Sequence, residues 1–193
     1  SDAAAFGGFG TSVSIDGEQA LIGANNAAYV FIRNGTTWTQ RAKLVASDTT
    51  EGAGFGSRVS LFAHTALISA PGAESSGAAY VFEGNGISWN EQAKLTASDG
   101  AVGDYFGASI SLFNGDTALI SAVFDNELLG SAYVFVRNGT AWTEQAKLAP
   151  SDAEVVDRYF GRTGVSVLGN IALVGALEDD NTFEDSGSAY VFV

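Results

Sequence analysis

Carboxylates are the side chains through which this sequence could do chemistry. Asp99 and Asp104 bracket Gly100-Ala101-Val102-Gly103, Asp152 and Asp157 bracket Ala153-Glu154-Val155-Val156, and Glu178, Asp179, Asp180, Glu184 and Asp185 crowd a single stretch. Calcium takes roughly six to eight oxygen ligands, and paired carboxylates on a connection folded back by glycine or a tight bend are able to supply them. None of these groups has the spacing of an EF-hand loop, so they suggest a hard cation by chemistry and not by motif. Calcium is the one cofactor the residues suggest, and no motif requires any cofactor.

Nucleophilic catalysis has little to build on. The chain has no cysteine, and His64 is the sole histidine. A Ser-His-Asp arrangement would have to form around that one residue, which stands in a turn where equivalent segments carry Gly17, Gly115 or Gly169. No nucleophile-elbow motif lies nearby. Carboxylate pairs for glycoside hydrolysis are defined by separation in space, which an abundance of acids does not supply. The expectation is a protein without enzymatic activity. Asn34-Gly35-Thr36 and Asn138-Gly139-Thr140 fit the N-glycosylation pattern, but each coincides with a hairpin turn that explains it first.

Charge narrows the partners. The 193 residues carry 22 acidic and 9 basic side chains, a formal net charge of −13. A field of that sign repels phosphate backbones and anionic headgroups, so neither nucleic acid nor a membrane surface is an expected partner. No apolar run is long enough to span a bilayer as a helix. The opening residues lack a charged leader and an apolar stretch, so any export signal is expected to have been removed or to lie outside this sequence.

These carboxylates must be held by elements that repeat. Phe-Gly recurs at Phe9, Phe55, Phe106 and Phe160, and Ala-Tyr-Val-Phe recurs around Tyr29, Tyr80, Tyr133 and Tyr190. Between them lie ALIGA from Ala20, ALISA from Ala66 and Ala118, and ALVGA from Ala172. In register, the units are 1–46, 47–97, 98–150 and 151–193, a period of about 50 residues that marks one supersecondary unit used repeatedly. Each opens on Ser-Asp, passes through Phe-Gly, and enters a strand such as SVSI from Ser12. Asp16-Gly17 and Asn114-Gly115 predict hairpin turns with positive φ at both central residues. The following apolar run does not alternate, which fits a strand covered on both faces. AYVF then leads through a second glycine turn into a strand carrying Trp38, Trp89 or Trp142 and ending in Ala-Lys-Leu.

Four short antiparallel strands per unit, sheathed on both faces, describe an all-β fold of propeller blades, as one domain over residues 1–193. The sequence resembles the FG-GAP repeat family. Phe9-Gly10 with Gly23-Ala24, Phe55-Gly56 with Ser69-Ala70-Pro71, Phe106-Gly107 with Ser121-Ala122, and Phe160-Gly161 with Gly175-Ala176 carry the resemblance. It implies a β-propeller, usually of seven blades, that is secreted or extracellular and serves adhesion or ligand binding. The Asp-rich calcium loop of integrin-type members has no counterpart here, because Ile15-Asp16-Gly17-Glu18 and Phe113-Asn114-Gly115-Asp116 are too short to wrap a cation.

The last unit stops at Tyr190, Val191, Phe192 and Val193, without a Trp-bearing fourth strand. That leaves an open edge, a template for strand pairing. A closed four-blade ring is the simplest arrangement, with a two-copy ring or end-to-end assembly through the incomplete blade as alternatives. Strand alternation gathers the connections between blades and the unequal loops, from Asn25-Asn26 up to 177–187, on one rim. Glu74, Asp125, Glu127, Glu178, Asp179, Asp180, Glu184 and Asp185 make that rim acidic. The tryptophans are expected to be buried structural anchors. The functional expectation is a non-enzymatic adhesion or protein-interaction module with a protein or glycan ligand at the acidic rim. The alternatives are a structural subunit that self-assembles through its C-terminal edge, and a sugar-binding lectin.

Overall fold

Glycine-centred turns and runs of β-branched and aromatic residues fold each repeat into a four-strand meander. The computed structural model describes residues 7–48, 50–85, 88–150, 158–178 and 186–193, with the side chains of 158, 159 and 178 excepted. The first blade contains β1 (Val13–Asp16), β2 (Gln19–Ala24), β3 (Ala27–Asn34) and β4 (Thr37–Leu44). The second contains β5 (Val59–Phe62), β6 (Thr65–Ala70), β7 (Ala78–Gly84) and β8 (Trp89–Leu95). The third contains β9 (Phe106–Phe113), β10 (Thr117–Ala122), β11 (Ser131–Asn138) and β12 (Ala141–Leu148). The fourth contains β13 (Arg158–Leu168), β14 (Ile171–Glu178) and β15 (Ser188–Phe192), so the last blade has three strands. Within every sheet, neighbours in space are neighbours in sequence and run antiparallel.

Turn chemistry follows the sequence with one difference. Asn114 and Gly115 both adopt positive φ, 53° and 72°, but in the first blade Asp16 stays in β1 and Gly17 alone crosses over, at 56°. The third and fourth strands of each complete blade shift register at one place, after Val30, Val81 and Val134. A bulge there increases the twist of the outer strands.

Blades stack through a repeated apolar interface. The leading face of one blade meets the trailing face of the next: Leu21, Val30 and Leu44 pack with Phe55, Leu61, Ile68 and Tyr80. Leu67, Val81 and Leu95 pack in the same way with Phe106, Leu112, Ile120 and Tyr133. Leu119 and Ala132 then pack with Phe160, Val167 and Val174. Phe55, Phe106 and Phe160 are each at most 1% exposed, standing edge-on to the tyrosine and phenylalanine of their own blade's third strand. Gly56, at φ 92°, follows its phenylalanine where a Cβ would lie 2.3 Å from the Ala24 carbonyl, so only glycine permits that approach.

Serines complete the interface. Ser12 and Ser14 accept hydrogen bonds from the amides of Val59 and Leu61 at 3.1 and 3.0 Å. Ser60 accepts from Leu112 at 3.1 Å, and Ser109 and Ser111 accept from Val165 and Val167 at 3.2 Å each. The first strand of a blade has a sheet partner on one side only, so its outward amides need another acceptor, and the preceding blade's serines provide it.

The blades form an open arc, which corrects the expected closed ring. Strand packing joins β1 to β5, β5 to β9 and β9 to β13, and among the described residues nothing of that extent joins the fourth blade to the first. Val13 and Ile15 on β1 are 68% and 66% exposed, whereas their equivalents Val59 and Leu61 are 7% and 6% exposed. At the other end β14 alternates: Ala172, Val174 and Ala176 are buried, while Ile171, Leu173 and Leu177 are exposed. The physical reason is that each of the three interfaces repeats the same contacts. Each step therefore places the next blade alike, and among the described residues no strand packing of that extent returns from the fourth blade to the first. Trp38 is 40% exposed for the same reason, contrary to the expected burial, whereas Trp89 and Trp142 pack partly buried against the clusters at the interface with the blade before them.

Candidate binding rim

The unequal loops and the connections between blades are hydrogen-bonded into one rim. Gly103 and Phe106, entering the third blade, donate to the carbonyls of Ser75 and Ser76 in the 71–77 loop. Phe124 donates to the Asp104 carbonyl, and Phe160 to that of Leu129. The 71–77 and 123–130 loops are thus each tied to the chain entering the following blade, and the 123–130 loop also to the connection into its own.

The Ser-Asp that opens a repeat has a structural function that sequence reading missed. Asp48 accepts from the Tyr80 hydroxyl at 2.8 Å and from Lys94 at 2.7 Å, and Lys94 also reaches Glu74 at 2.6 Å. One repeat on, Asp99 accepts from Tyr133 at 2.8 Å and Lys147 at 2.6 Å, and Lys147 lies 2.7 Å from Asp125. Each ammonium also stands over its tyrosine ring, at 5.6 Å for Lys94 and 5.3 Å for Lys147, with Lys43 at 5.6 Å over Tyr29 in the first blade. The serines are held as well. The amide and hydroxyl of Ser47 both donate to Glu91, and those of Ser98 donate to Glu144. The available signal was the co-occurrence of Ser-Asp, Ala-Tyr-Val-Phe and Ala-Lys-Leu in one period.

These clasps shift the groups in them. The hydrogen bonds from Lys94 and Lys147, with those from the tyrosines, hold Asp48 and Asp99 below the ordinary carboxyl value of 3.8. Burial pushes the Tyr80 and Tyr133 hydroxyls upward, and the aspartates add to it. Burial by itself would lower Lys94 and Lys147, but their carboxylate hydrogen bonds outweigh it and raise both.

The cation candidates are distributed differently from the sequence pattern. Asp99 faces Lys147 and Tyr133, while Asp104, 7% exposed, accepts from the Ala101 amide at 2.6 Å and closes its own turn. The two carboxylates are engaged by separate partners. Among the described residues no group of three or more histidine, aspartate or glutamate side chains comes together to hold a metal ion. Asp152, Asp157, Asp179, Asp180, Glu184 and Asp185 lie outside the described residues, and Glu178 is placed only as the last residue of β14. Of the other rim residues, Glu74 and Asp125 belong to the lysine clasps, and Glu127 is exposed. Asn126, Glu127 and Leu128 run consecutively at φ 52°, 60° and 79°, and Glu74 and Ser75 sit at 48° and 68°. Non-glycine residues at positive φ are strained, and such strain persists only where surrounding contacts impose it. His64 lies in the β5–β6 turn, its Nδ1 3.5 Å from Gln19 Nε2.

At the C-terminal edge, β15 pairs with β14 from Ser188 to Phe192 and has no second neighbour among the described strands. Tyr190 and Phe192 face the Phe160 plug, while Val191 and Val193 are 63% and 92% exposed.

Radially stacked meanders, the last three each locked by a buried Phe-Gly plug, define a β-propeller module. The FG-GAP repeat profile matches residues 38–82, 89–135 and 142–192, and the chain belongs to the FG-GAP repeat family. Each match opens on or beside a fourth-strand tryptophan and closes in the third strand of the following blade, so the family's unit bridges two blades. No curated protein matches the chain in sequence. Among solved structures, the N-terminal domain of Nup159 superposes with a TM-score of 0.51 at 13% identity, over 93% of this chain and 43% of that chain. A structure of S. cerevisiae Dbp5 bound to Nup159, Gle1, IP6 and ADP matches with a TM-score of 0.50, 13% identity and the same coverages of 93% and 43%. The chain therefore spans less than half of those matched chains, and the likeness is one of fold alone.

Proposed function

We propose that this propeller is a non-enzymatic interaction module of a secreted or cell-surface protein, engaging a protein or glycan ligand through its acidic rim. The observation that carries the reading is the 123–130 loop, where three consecutive non-glycine residues are held in the left-handed region with Glu127 and Leu128 exposed at the tip. Strain maintained at an exposed loop is a mark of a contact surface. The net charge of −13 would speed encounter with a basic partner. Immobilised protein screened against basic extracellular proteins and a glycan array tests this, alongside a Glu127→Lys variant. Binding that weakens with salt and is lost in the variant supports the rim, whereas binding indifferent to both overturns it. Calcium belongs to this reading as an accessory ligand of the acidic loops. A melting temperature unchanged between added calcium and added chelator removes it.

Self-assembly is a second reading, and the two ends of the arc favour it. Val13 and Ile15 are exposed on the trailing face of the first blade, and Leu173 and Val191 on the leading face of the fourth. They are the two halves of the interface repeated three times inside the molecule. Concentration-dependent growth in sedimentation, abolished by Leu173→Lys, is the expected behaviour; a monomer throughout the accessible range excludes it.

A further inference from the structure

Two side chains on the rim of the third blade stand where earlier copies of the repeat have none. The residue before each Phe-Gly opens a turn in which its carbonyl accepts from the amide three positions on: Gly8 from Thr11 at 3.0 Å, Gly54 from Ser57 at 3.0 Å and Tyr105 from Ala108 at 3.2 Å. All three sit in the left-handed region, at φ 58°, 72° and 63°. Glycine adopts that conformation freely, whereas a bulky aromatic residue is strained in it. Phe124 is the second case. Its amide donates to the Asp104 carbonyl at 3.1 Å, the bond that Gly72 makes with the Ala53 carbonyl at 2.9 Å one blade earlier. The third blade thus carries a tyrosine and a phenylalanine where the second carries two glycines.

The two rings meet, with centroids 5.7 Å apart and planes inclined by 55°. Tyr105 is nevertheless 46% exposed, unlike Phe106 beside it at 1%. Core packing therefore does not account for a tyrosine held in a strained conformation, and strain of that kind at an exposed loop marks a contact surface. The surroundings are apolar and acidic. Val102 and Leu128 are 85% and 39% exposed. The Leu128 amide donates to the Phe124 carbonyl at 3.3 Å and closes the turn that carries the exposed Glu127.

Inclined rings form a notch and not the flat platform on which a sugar ring stacks, and the acids of the rim favour a cation there. The chain already uses this combination internally. Lys43, Lys94 and Lys147 stand over the rings of Tyr29, Tyr80 and Tyr133, and Asp48 and Asp99 accept from the second and third of them. Taking the acidic rim as the binding surface, on which this inference rests, we propose that Tyr105, Phe124, Leu128 and Glu127 form a site for an arginine side chain of a partner protein. The guanidinium stacks on the Tyr105 ring and pairs with the Glu127 carboxylate, while its aliphatic stem lies along Leu128 and Val102. Arginine suits the site better than lysine, because its planar and weakly hydrated head stacks on an aromatic face while it pairs with a carboxylate.

A blocked peptide of alternating arginine and glycine and its lysine counterpart of equal length, each titrated calorimetrically into the full chain at about 0.15 M salt, test the site. The arginine peptide should bind saturably and roughly fivefold or more tighter than the lysine peptide. Tyr105→Gly restores the residue of the first two blades. It should weaken the arginine peptide roughly fivefold or more while the melting temperature moves by less than about 2 °C, and Tyr105→Phe, which keeps the ring, should keep the affinity. A larger fall in melting temperature for Tyr105→Gly would make the ring structural and overturn the proposal. Glu127→Lys should weaken both peptides. If it does so while the two peptides bind alike and Tyr105→Gly binds as the parent does, the acidic rim stands and the arginine site falls. No binding of the arginine peptide at roughly 1 mM overturns the arginine site, and no binding in the wider screen of basic proteins and glycans overturns the rim with it. A neutral oligosaccharide bound by the parent and lost in Tyr105→Gly would assign the rings to a sugar and also overturn the proposal.

Discussion

Four phenylalanines at one repeat position give a direct test of the open arc. Phe55 and Phe106 are 0% and 1% exposed, each with two edge-on aromatic neighbours at 5.5 to 6.0 Å. Phe9 makes the same two contacts, with Tyr29 at 5.5 Å and Phe31 at 6.2 Å, yet it is 59% exposed because no described blade packs over it. Removing a fully buried phenylalanine side chain forfeits its transfer energy and leaves a cavity, together about 3 to 5 kcal/mol. At Phe9 most of the ring already faces water, little cavity forms, and the loss reduces to partial burial and edge contacts, about 1 kcal/mol. For a chain of this size each kcal/mol moves the melting temperature by about 2 to 4 °C. Phe55→Ala should therefore melt about 6 °C or more below the parent, and Phe9→Ala only a few degrees below it. Thermal unfolding followed by tryptophan fluorescence and circular dichroism at low protein concentration measures both. Equal losses at the two positions would refute the reasoning, because they would mean that the first blade's trailing face is covered.

The repeated contacts support three further outcomes. Asp48 and Asp99 have folded-state pKa values below their ordinary 3.8; their stabilisation is complete above that value and is lost as pH falls through the lowered folded values. Asp48→Asn/Asp99→Asn should flatten the acid limb of a stability-against-pH curve below about pH 4, and an unchanged limb removes the clasps from the account. Gly77 has φ 95° and sits where a Cβ would lie 2.2 Å from the Phe106 carbonyl; Gly77→Ala should cost more than the roughly 1 kcal/mol of an ordinary glycine replacement, read by urea midpoint. Ser121, fully buried, donates to the Gly161 carbonyl at 2.8 Å and accepts from the Ser109 amide at 2.9 Å. Ser121→Ala leaves those groups without their partner at a cost of about 1 to 3 kcal/mol, and a loss below the error of the unfolding fit would contradict that.

What the sequence disclosed and what it hid divide along one physical line. Properties that a repeat carries within itself were legible: the hairpin turns, the strand order, the Phe-Gly plug and the three-strand last blade all depend on residues within about 50 positions of one another. Properties that belong to the neighbour were not. ALISA from Ala66 and ALVGA from Ala172 read alike as strands covered on both faces, yet Leu67 is 0% exposed and Leu173 44%, because only the second blade has another blade leading from it. Trp38 and Trp89 share a motif and differ in burial for the corresponding reason at the other end. The rim shows the same division. Asp99 read as a cation candidate and Asp48 only as part of the Ser-Asp that opens its repeat, and their partners Lys94 and Lys147 stand 46 and 48 positions later, at the far end of the same blade. A repeat encodes its own fold and one interface on each side; the number of blades and the covering of the two ends are encoded in no single copy. At the two ends of the described arc Val13, Ile15 and Leu173 are exposed, where their equivalents in the inner blades are covered by a neighbouring blade.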